Sequence, residues 1–307
     1  MDRQLLTKNG YAIMKIAMEL LNYSVGARIL RVSDFSEKLK IGRGTVQNAL
    51  QYIEKEGGIA LESRGHLGTF VLKMDRKKLW HLSGLKTVLG TMPLPYSKRY
   101  EGLATALYEA FEKADTPFNL AFMRGGETRF AGLLEGRYDF SVSSRFSAEQ
   151  AIRKYPELMI AIQLGNFTYV GGHTILLRDG IGSQLRDGMK VAVDPSSYDQ
   201  KRLTDIAFKG YDVQFVEMPY NQLLTKLQHK EIDATVWNED EVSERYQLLK
   251  RIPLALEDKE HLHNTEAVLV FHKDNTALIN MIKDIVSVEH IRAVQQAVMN
   301  NERAPKY

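Results

Sequence analysis

The side chains best suited to reading another molecule lie near the front of the chain, in the segment RGTVQNALQ at residues 43 to 51. Gln47 and Asn48 carry carboxamides, which can pair with adenine through two hydrogen bonds in the major groove of DNA. Arg43 and Thr45 begin the segment, where the unpaired amides of a helix start attract backbone phosphate. These residue types predict a recognition helix in which Arg43 and Thr45 position DNA, and Gln47 and Asn48 read its bases.

Two further helices would hold this segment in place. Apolar residues from Ile13 to Leu21 recur at helical spacing and predict a first helix over residues 8 to 22. Ser33 is expected to be the N-cap of a second helix. Only residues 40 to 42 separate that helix from the recognition helix, and the glycine among them would allow the tight turn of a helix-turn-helix.

A period-two pattern follows the third helix and predicts a hairpin. Apolar and polar residues alternate on both sides of the loop at residues 63 to 67, in which Gly65 and the adjacent Gly68 permit the turn. Arg64 and His66 lie at the tip, where they would contact phosphate or the minor groove. Three helices and a hairpin predict a winged helix-turn-helix domain. An ordinary helical hairpin with a solvated polar face is the alternative.

Composition limits the class of protein. The chain has 307 residues, 44% of them hydrophobic, enough for about two domains with substantial cores. The absence of cysteine excludes disulfides and thiolate metal sites. No run of about 18 apolar residues occurs, and the start lacks a charged-then-apolar leader, so a cytoplasmic location is expected.

Charge is distributed unevenly along the chain. Residues 1 to 78 contain 14 Lys and Arg against 8 Asp and Glu, a balance of +6, whereas the remaining residues contain 27 against 30, a balance of −3. A basic front and a mildly acidic remainder are typical of a polyanion-binding domain attached to a domain with another task. We therefore expect two domains, a DNA-binding domain with its linker at residues 1–78 and a second domain at residues 79–307.

The second domain reads as repeated strand and helix units, which indicate an α/β fold with parallel strands. Residues 127 to 142 and 221 to 236, 94 positions apart, share a helix stripe followed by an aspartate and a strand. The shared aspartates are Asp139 and Asp233. The repeat predicts two similar α/β lobes.

A ligand in such a fold sits beyond the carboxyl ends of the strands, against helix N-termini. Hydroxyls, amides and aromatic rings at these ends suit a small polar ligand, and Arg99 or Arg145 would favour a carboxylate or phosphate. Each of these residues has a structural alternative, since a serine can cap a helix and Trp237 can be core. The residues at the predicted strand ends are Tyr96, Ser97, Arg99, Gly125, Gly126, Ser143, Ser144, Arg145, Ser196, Ser197, Tyr198, Tyr220, Trp237 and Asn238.

The front of the chain resembles the winged-helix domains of GntR-type bacterial transcription regulators. The resemblance rests on RxTVxxALxxIExEG at residues 43 to 57 and GxLGTFV at residues 65 to 71. It departs at Gln47, where that family usually has arginine, and at Gly42, where it often has serine, so the resemblance implies DNA binding without implying an operator sequence.

The second domain resembles type II periplasmic-binding-protein folds, which serve bacterial regulators as effector domains. The element LxxGxxD followed by a strand, seen at residues 133 to 139, carries this resemblance, and Lys230 replaces its glycine in the second copy. When this domain is taken together with the winged helix-turn-helix domain, here called the head, the whole chain is similar to the YhfZ family of bacterial regulators. The resemblance implies a homodimer that binds double-stranded DNA, senses a small-molecule effector between two lobes, and needs no cofactor or metal.

Two other classes of function remain open. An enzyme could use the same two-lobed fold, with a nucleophilic serine in SVSSR at residues 141 to 145, but no base is identifiable beside it. The chain has no HExxH, Walker A, GxSxG or GxGxxG motif, and His261 and His263 lack a third ligand. Alternatively, the second domain could serve only for dimerisation, through the apolar helical faces at residues 277 to 299.

Overall fold

The computed structural model describes residues 7–84, 87–245, 249–254 and 258–307. Its elements in chain order are α1 Lys8–Leu20, α2 Val32–Leu39, α3 Arg43–Lys55, β1 Ile59–Ser63, β2 Thr69–Met74, α4 Arg76–Leu82, β3 Val88–Met92, α5 Lys98–Lys113, β4 Phe118–Phe122, α6 Gly126–Leu134, β5 Phe140–Ser144, α7 Arg145–Lys154, β6 Leu158–Gln163, β7 His173–Leu177, β8 Lys190–Val193, α8 Tyr198–Ala207, β9 Gln214–Glu217, α9 Tyr220–Gln228, β10 Ala234–Asn238, α10 Glu239–Arg245, β11 Lys250–Pro253, α11 Asp258–Thr265, β12 Ala267–His272, α12 Thr276–Ile285 and α13 Val288–Met299.

These elements form two compact units. The first contains the described residues of Met1–Thr87, with Phe111–Pro117 and Asn275–Ile285, and the second contains Val88–Ala110, Phe118–Asp274 and Val286–Tyr307 where described. The predicted boundary at residue 78 falls inside α4 and stays a prediction. The repeated strand and helix pattern predicts a first strand of the second domain from residue 85, and the start of this strand lies outside the described residues. The side chain of His261 also lies outside them.

The first unit is a winged helix-turn-helix. Helices α1, α2 and α3 are followed by the antiparallel hairpin of β1 and β2. Ile16 of α1, Phe35 of α2 and Ile53 of α3 are fully buried, so the apolar stripes read from the sequence form one core. The predicted N-cap at Ser33 is wrong: α2 begins after Arg31, whose amide donates to the Asp34 carboxylate at 3.1 Å.

The turn before α3 differs from the expected one at a single position. Lys40 takes the left-handed conformation, with φ of 55°, whereas Gly42 has φ of −63° and is the N-cap of α3. The wing tip follows the sequence prediction more closely, because Gly65 and Gly68 have φ of 56° and 102°. A Cβ on Gly68 would lie 2.6 Å from the Arg28 Nε, so a side chain there would also displace the flexible Arg28 guanidinium.

Arg76, at the start of α4, ties several segments of this unit together. Its guanidinium donates to the carbonyls of Leu21 at 2.7 Å and Tyr23 at 2.9 Å, and its Nε lies 2.8 Å from the Asp284 carboxylate. Because Asp284 belongs to α12, this contact connects the end of α1 to a helix that directly follows β12 along the chain.

The second unit contains two lobes of the same construction. The first sheet has the order β4-β3-β5-β12-β6 and the second the order β9-β8-β10-β7-β11. In both, the first three strands are parallel and the fourth is antiparallel to its neighbours. The parallel units and the two similar lobes are therefore confirmed, and the antiparallel fourth strand is what the sequence analysis missed.

The internal repeat is visible in atomic detail. Asp139 accepts a hydrogen bond from the Leu89 amide at 2.8 Å, and Asp233 accepts one from the Lys190 amide at the same distance. Gly136 has φ of 68°, and Lys230, which stands at the equivalent position, has φ of 60°. The lysine thus adopts the conformation for which the first copy uses glycine.

The chain crosses between the lobes twice, from β6 to β7 and from β11 to β12. Helix α13 packs into this unit through Ile291 and Val294, and the Gln295 side chain donates to the carbonyls of Arg99 at 2.9 Å and Thr168 at 2.8 Å. Within the described part of the chain, no helix is long and apolar enough to span a membrane.

Candidate DNA-facing helix and interlobe cavity

The outer face of α3 consists of Arg43, Thr45, Gln47 and Asn48, and it projects from the first unit. Arg43, Gln47 and Asn48 are exposed and Thr45 is half-buried. Among the described residues, the side chains of Arg43, Gln47 and Asn48 have no hydrogen-bond partner. Gly42 caps the helix without a side-chain acceptor, so the first-turn amides remain available to an anion.

The wing tip carries the other two predicted DNA contacts. His66 is exposed on a short 3-10 turn at Gly65–Leu67. Arg64 is also exposed, but its Nε contacts the Glu62 carboxylate and its guanidinium lies 4.6 Å from the centre of the Phe70 ring. The charge of Arg64 is thus partly neutralised within the wing.

A cavity lies between the two lobes of the second unit, with about 770 Å³ of space free of protein atoms, including the part that opens to solvent. Six of the predicted ligand residues line it, namely Tyr96, Gly125, Gly126, Ser197, Tyr220 and Asn238.

Three of the remaining predicted residues hold the side chains that line the cavity. Ser144 donates to Asp199 at 2.7 and 2.8 Å, and Ser196 donates to Asp194 at 2.6 Å. The Trp237 ring stacks on Tyr220, with ring centres 3.9 Å apart.

The other five predicted residues lie elsewhere. Arg99 pairs with Asp240 at 2.9 Å, and Arg145 pairs with Glu149 at 2.8 Å. Neither arginine lines the cavity, so neither is placed to take a ligand anion there. Ser97 accepts from the Tyr100 amide at 3.4 Å, Ser143 is buried in β5, and Tyr198 donates to Glu127 at 2.5 Å.

The charged lining is made by residues that the sequence analysis did not select. They are Arg124, Arg129, Asp194, Asp199 and Glu241. Arg129 had a detectable signal, because it occupies the buried stripe of α6 beside Phe130, where an unpaired charge is rarely placed.

Arg129 is the buried cation of the cavity. It is 4% exposed, and its Nη1 donates to the Met123 carbonyl at 3.0 Å. Its Nε is buried and has no hydrogen-bond partner among the described residues. A buried unpaired donor on a guanidinium is costly, so a ligand acceptor next to Arg129 would be stabilising.

Asp199 is the buried acid of the opposite lobe. Burial raises its pKa to about 6, although hydrogen bonds from Ser144 and Ser147 and the charge of Arg129 lower it. Asp194 is more fully satisfied, because it accepts from the Ser196 amide at 2.9 Å and from the Tyr220 amide at 2.9 Å.

Neutral phenols form part of the walls. Burial raises the pKa of both Tyr100 and Tyr220 well above the ordinary value, so both hydroxyls stay protonated near neutral pH. Tyr100 packs edge-on against Tyr169 with ring centres 5.2 Å apart.

Several polar contacts join the lobes around the cavity. Ser144 and Asp199 belong to different lobes, as do Glu127 and Tyr198, and the Arg99–Asp240 pair is a third connection. Three polar contacts therefore connect the two lobes near the residues that line the cavity. No group of three or more metal-ligating side chains occurs among the described residues.

Fold and site together define the class of this protein. It has a helix-turn-helix domain of the DNA-binding type, followed by a two-lobed domain with the periplasmic-binding-protein fold. A family model described as a helix-turn-helix domain matches residues 24–71, and the model of the YhfZ C-terminal domain matches residues 75–307. The chain belongs to the YhfZ family. The helix-turn-helix match does not specify the GntR group, so that likeness stays a prediction.

Individual relatives agree with this assignment. An Escherichia coli (strain K12) protein named as uncharacterized protein YhfZ is 34% identical over the full length of both chains. The crystal structure of YhfZ from Shigella flexneri is 35% identical, with a TM-score of 0.62 over 76% of this chain and 98% of that one. The periplasmic VFT2 domain of Bordetella pertussis BvgS shares the fold at 16% identity, with a TM-score of 0.51 over 72% of this chain and 96% of that one.

Proposed function

We propose that this chain is a cytoplasmic, dimeric transcription regulator with a GntR-like head, and that its second domain senses a small polar metabolite that carries an anionic group in the interlobe cavity. The observation that carries the proposal is the outer face of α3. Its carboxamides are exposed, have no partner within the described protein, and stand on a helix whose apolar side is fully packed. A polar face without internal partners is suited to an external one.

A dimer would present two such helices to two half-sites, about one helical turn or roughly 34 Å apart, or a multiple of that distance. Gln47 and Asn48 would read base edges, and Arg43 and Thr45 would contact phosphate. Arg64 and His66 would add contacts at the wing. The Glu62 carboxylate reduces what Arg64 contributes, because that guanidinium must exchange one partner for another.

The cavity supports the sensing part of the proposal. Its lining combines aromatic walls with a few convergent polar groups, as small-molecule sites do. Since both lobes contribute residues to the cavity, a ligand that favours closure of the lobes would change the orientation of the heads. Its effect on DNA binding is limited to the difference between its affinities for the two arrangements.

DNA binding is tested by selecting genomic fragments with the full-length protein and measuring anisotropy on the selected duplex. Substituting Gln47 or Asn48 by Ala should weaken binding to the selected duplex while sparing a scrambled one. Gln214, which lies on β9, also has an exposed carboxamide, so Gln214→Ala is the matched control. It should change the affinity for neither duplex. Equal affinity of the unsubstituted protein for every duplex would refute the proposal.

Ligand sensing is tested separately, by mass spectrometry of small molecules released from the purified protein. A retained metabolite that changes DNA affinity supports sensing. Turnover of that molecule would instead favour an enzyme, and a second domain that retains nothing and mediates only dimerisation would favour a ligand-independent DNA-binding protein.

A further inference from the structure

We propose that the ligand of the interlobe cavity carries both a carboxylate and a protonated amine, with Arg129 holding the carboxylate and the acidic side chains of the cavity facing the amine. This inference rests on the proposed sensing function and names the chemical class of the ligand. It adds a cationic group to the anionic group of the proposed metabolite, and the addition follows from the charges that line the cavity.

The anionic end of the ligand is fixed by Arg129 and by the start of α6. Gly125 caps this helix without a side-chain hydrogen bond, which leaves first-turn amides for a ligand. A Cβ built on Gly126 would lie 3.9 Å from the Arg129 Nη2, so the guanidinium and the helix start converge. Arg129 lines the cavity, its Nε has no hydrogen-bond partner among the described residues, and a guanidinium offers the planar fork of donors that carboxylates accept.

The cationic end is indicated by carboxyl groups. Asp194, Asp199 and Glu241 line the cavity, and each is at least nine-tenths buried. Both oxygens of Asp199 accept from the Ser144 hydroxyl, and Ser147 also donates to this carboxylate. Since two carboxylate oxygens offer about four lone pairs, a further donor can still be accepted. Buried carboxylates require compensating positive charge, and an ammonium group provides it.

Charge balance selects between ligand classes. The lining holds two guanidinium groups, Arg124 and Arg129, and three carboxyl groups, Asp194, Asp199 and Glu241. A phosphate monoester or a dicarboxylate would add negative charge to a lining that already has a formal excess of one. Because burying uncompensated charge is strongly unfavourable, a ligand with zero or positive net charge fits better. A molecule of the amino-acid type has both required groups.

The test is a thermal-shift and calorimetric panel on the full-length protein. The probes are the standard L-amino acids and their D enantiomers, compared with glutarate, pentanoate, putrescine, glycerol 3-phosphate and inorganic phosphate. We expect at least one amino acid to raise the Tm by about 5 °C at saturation. We expect none of the five comparators to do so, because glutarate and pentanoate lack the amine, putrescine lacks the carboxylate, and the two phosphates lack both.

Variants localise the binding. Arg129→Lys and Asp199→Asn should each weaken the stabilising amino acid at least tenfold, whereas Arg153→Gln, an exposed arginine outside the cavity, should not. The Tm without ligand shows whether each variant folds. If Arg129→Lys does not fold, Asp199→Asn alone tests the site.

Three results would overturn the inference. Stabilisation by phosphate or glutarate but by no amino acid would refute the ligand class and leave the sensing function standing. Unchanged amino-acid binding in both folded variants would refute the site. A panel in which no compound binds would refute the class, and the metabolites retained by the purified protein would then decide separately whether the domain senses anything.

Discussion

The outer face of α3 and the interlobe cavity are both polar, yet they are built in opposite ways. On α3, Gln47 and Asn48 are exposed and lack internal partners within the described protein. In the cavity, Asp194 and Asp199 are buried and already hydrogen-bonded by serines. The first surface leaves its side chains free to meet DNA, whereas the second fixes its side chains before a ligand arrives.

The difference has an energetic reason. An exposed carboxamide forms hydrogen bonds with water, so a DNA-reading residue can lack a protein partner at little cost in free energy. A buried charged group has no water to bind, so it must be hydrogen-bonded or paired within the protein, or its pKa must shift. Substitutions on α3 should therefore change DNA recognition with little effect on stability, whereas substitutions around the cavity should change stability first.

The largest effect is expected at Trp237. Replacing this buried ring, which stacks on Tyr220, by Ala should destabilise the second unit by about 4 kcal/mol, because it leaves a cavity in the packing. Calorimetry would measure the change, with Gln47→Ala as the control that should stay within about 0.5 kcal/mol. Similar losses in the free energy of unfolding for both variants would contradict the proposed difference between the cavity and the outer face of α3.

The next effect concerns Asp199 and pH. Its folded pKa of about 6 exceeds the ordinary value of 3.8, so the native state binds the proton more tightly than the unfolded state does. Stability should therefore be lowered above pH 6 and recover as pH falls below it. Relative to Asp199→Asn, the unsubstituted protein should gain about 2 kcal/mol between pH 7.5 and pH 4.5, from urea unfolding. A gain on raising the pH instead would contradict this account.

A smaller effect is expected on DNA binding by α3. Gln47→Ala or Asn48→Ala should cost about 2 kcal/mol on the selected duplex and almost nothing on a scrambled one. Arg64→Ala should weaken both duplexes alike and flatten the salt dependence of binding. Anisotropy titrations at several salt concentrations distinguish these outcomes, and an Asn48→Ala protein with unchanged sequence preference would remove that residue from the readout.

The smallest effect is expected at Gly42. Ser is compatible with its φ of −63°, and the added Cβ would find only the Thr45 Oγ1, at 3.8 Å. Gly42→Ser should raise the free energy of unfolding by a few tenths of a kcal/mol, because its hydroxyl caps first-turn amides of α3. The same cap competes with phosphate, so DNA affinity should fall slightly. Tighter DNA binding would indicate that the helix start does not contact the backbone.

Local sequence signals were sufficient for the head. The stripe of α3 and the glycines of the wing lie within a few residues of one another, so periodicity and turn chemistry predicted both. The N-cap of α2 was missed because Ser33 is a good cap by type, whereas the Asp34 side chain caps the preceding Arg31 amide instead. The left-handed conformation of Lys40 also gave no signal, since glycine, asparagine and aspartate, and not lysine, are the residues that mark such a conformation in a sequence.

The cavity was predicted less completely, because it is assembled from segments that are distant in sequence. Tyr96 and Asn238 could be placed at strand ends, but Arg129 comes from a helix face and Asp199 from the second residue of α8. Arg99 and Arg145 have the right chemistry for an anion and were selected for that reason. The partner of Arg99, Asp240, is 141 residues away along the chain and could not be paired with it from local pattern. Arg145 pairs with Glu149, four residues on, and this local contact is one that the sequence interpretation missed.

The central claim is that the free polar face of α3 reads DNA sequence. The most direct measurement is competition between the selected duplex and a scrambled duplex of equal length for the full-length protein at moderate salt. The account predicts a strong preference for the selected duplex that is lost when Gln47 and Asn48 are both replaced by Ala. Equal competition by the two duplexes before any substitution would contradict it.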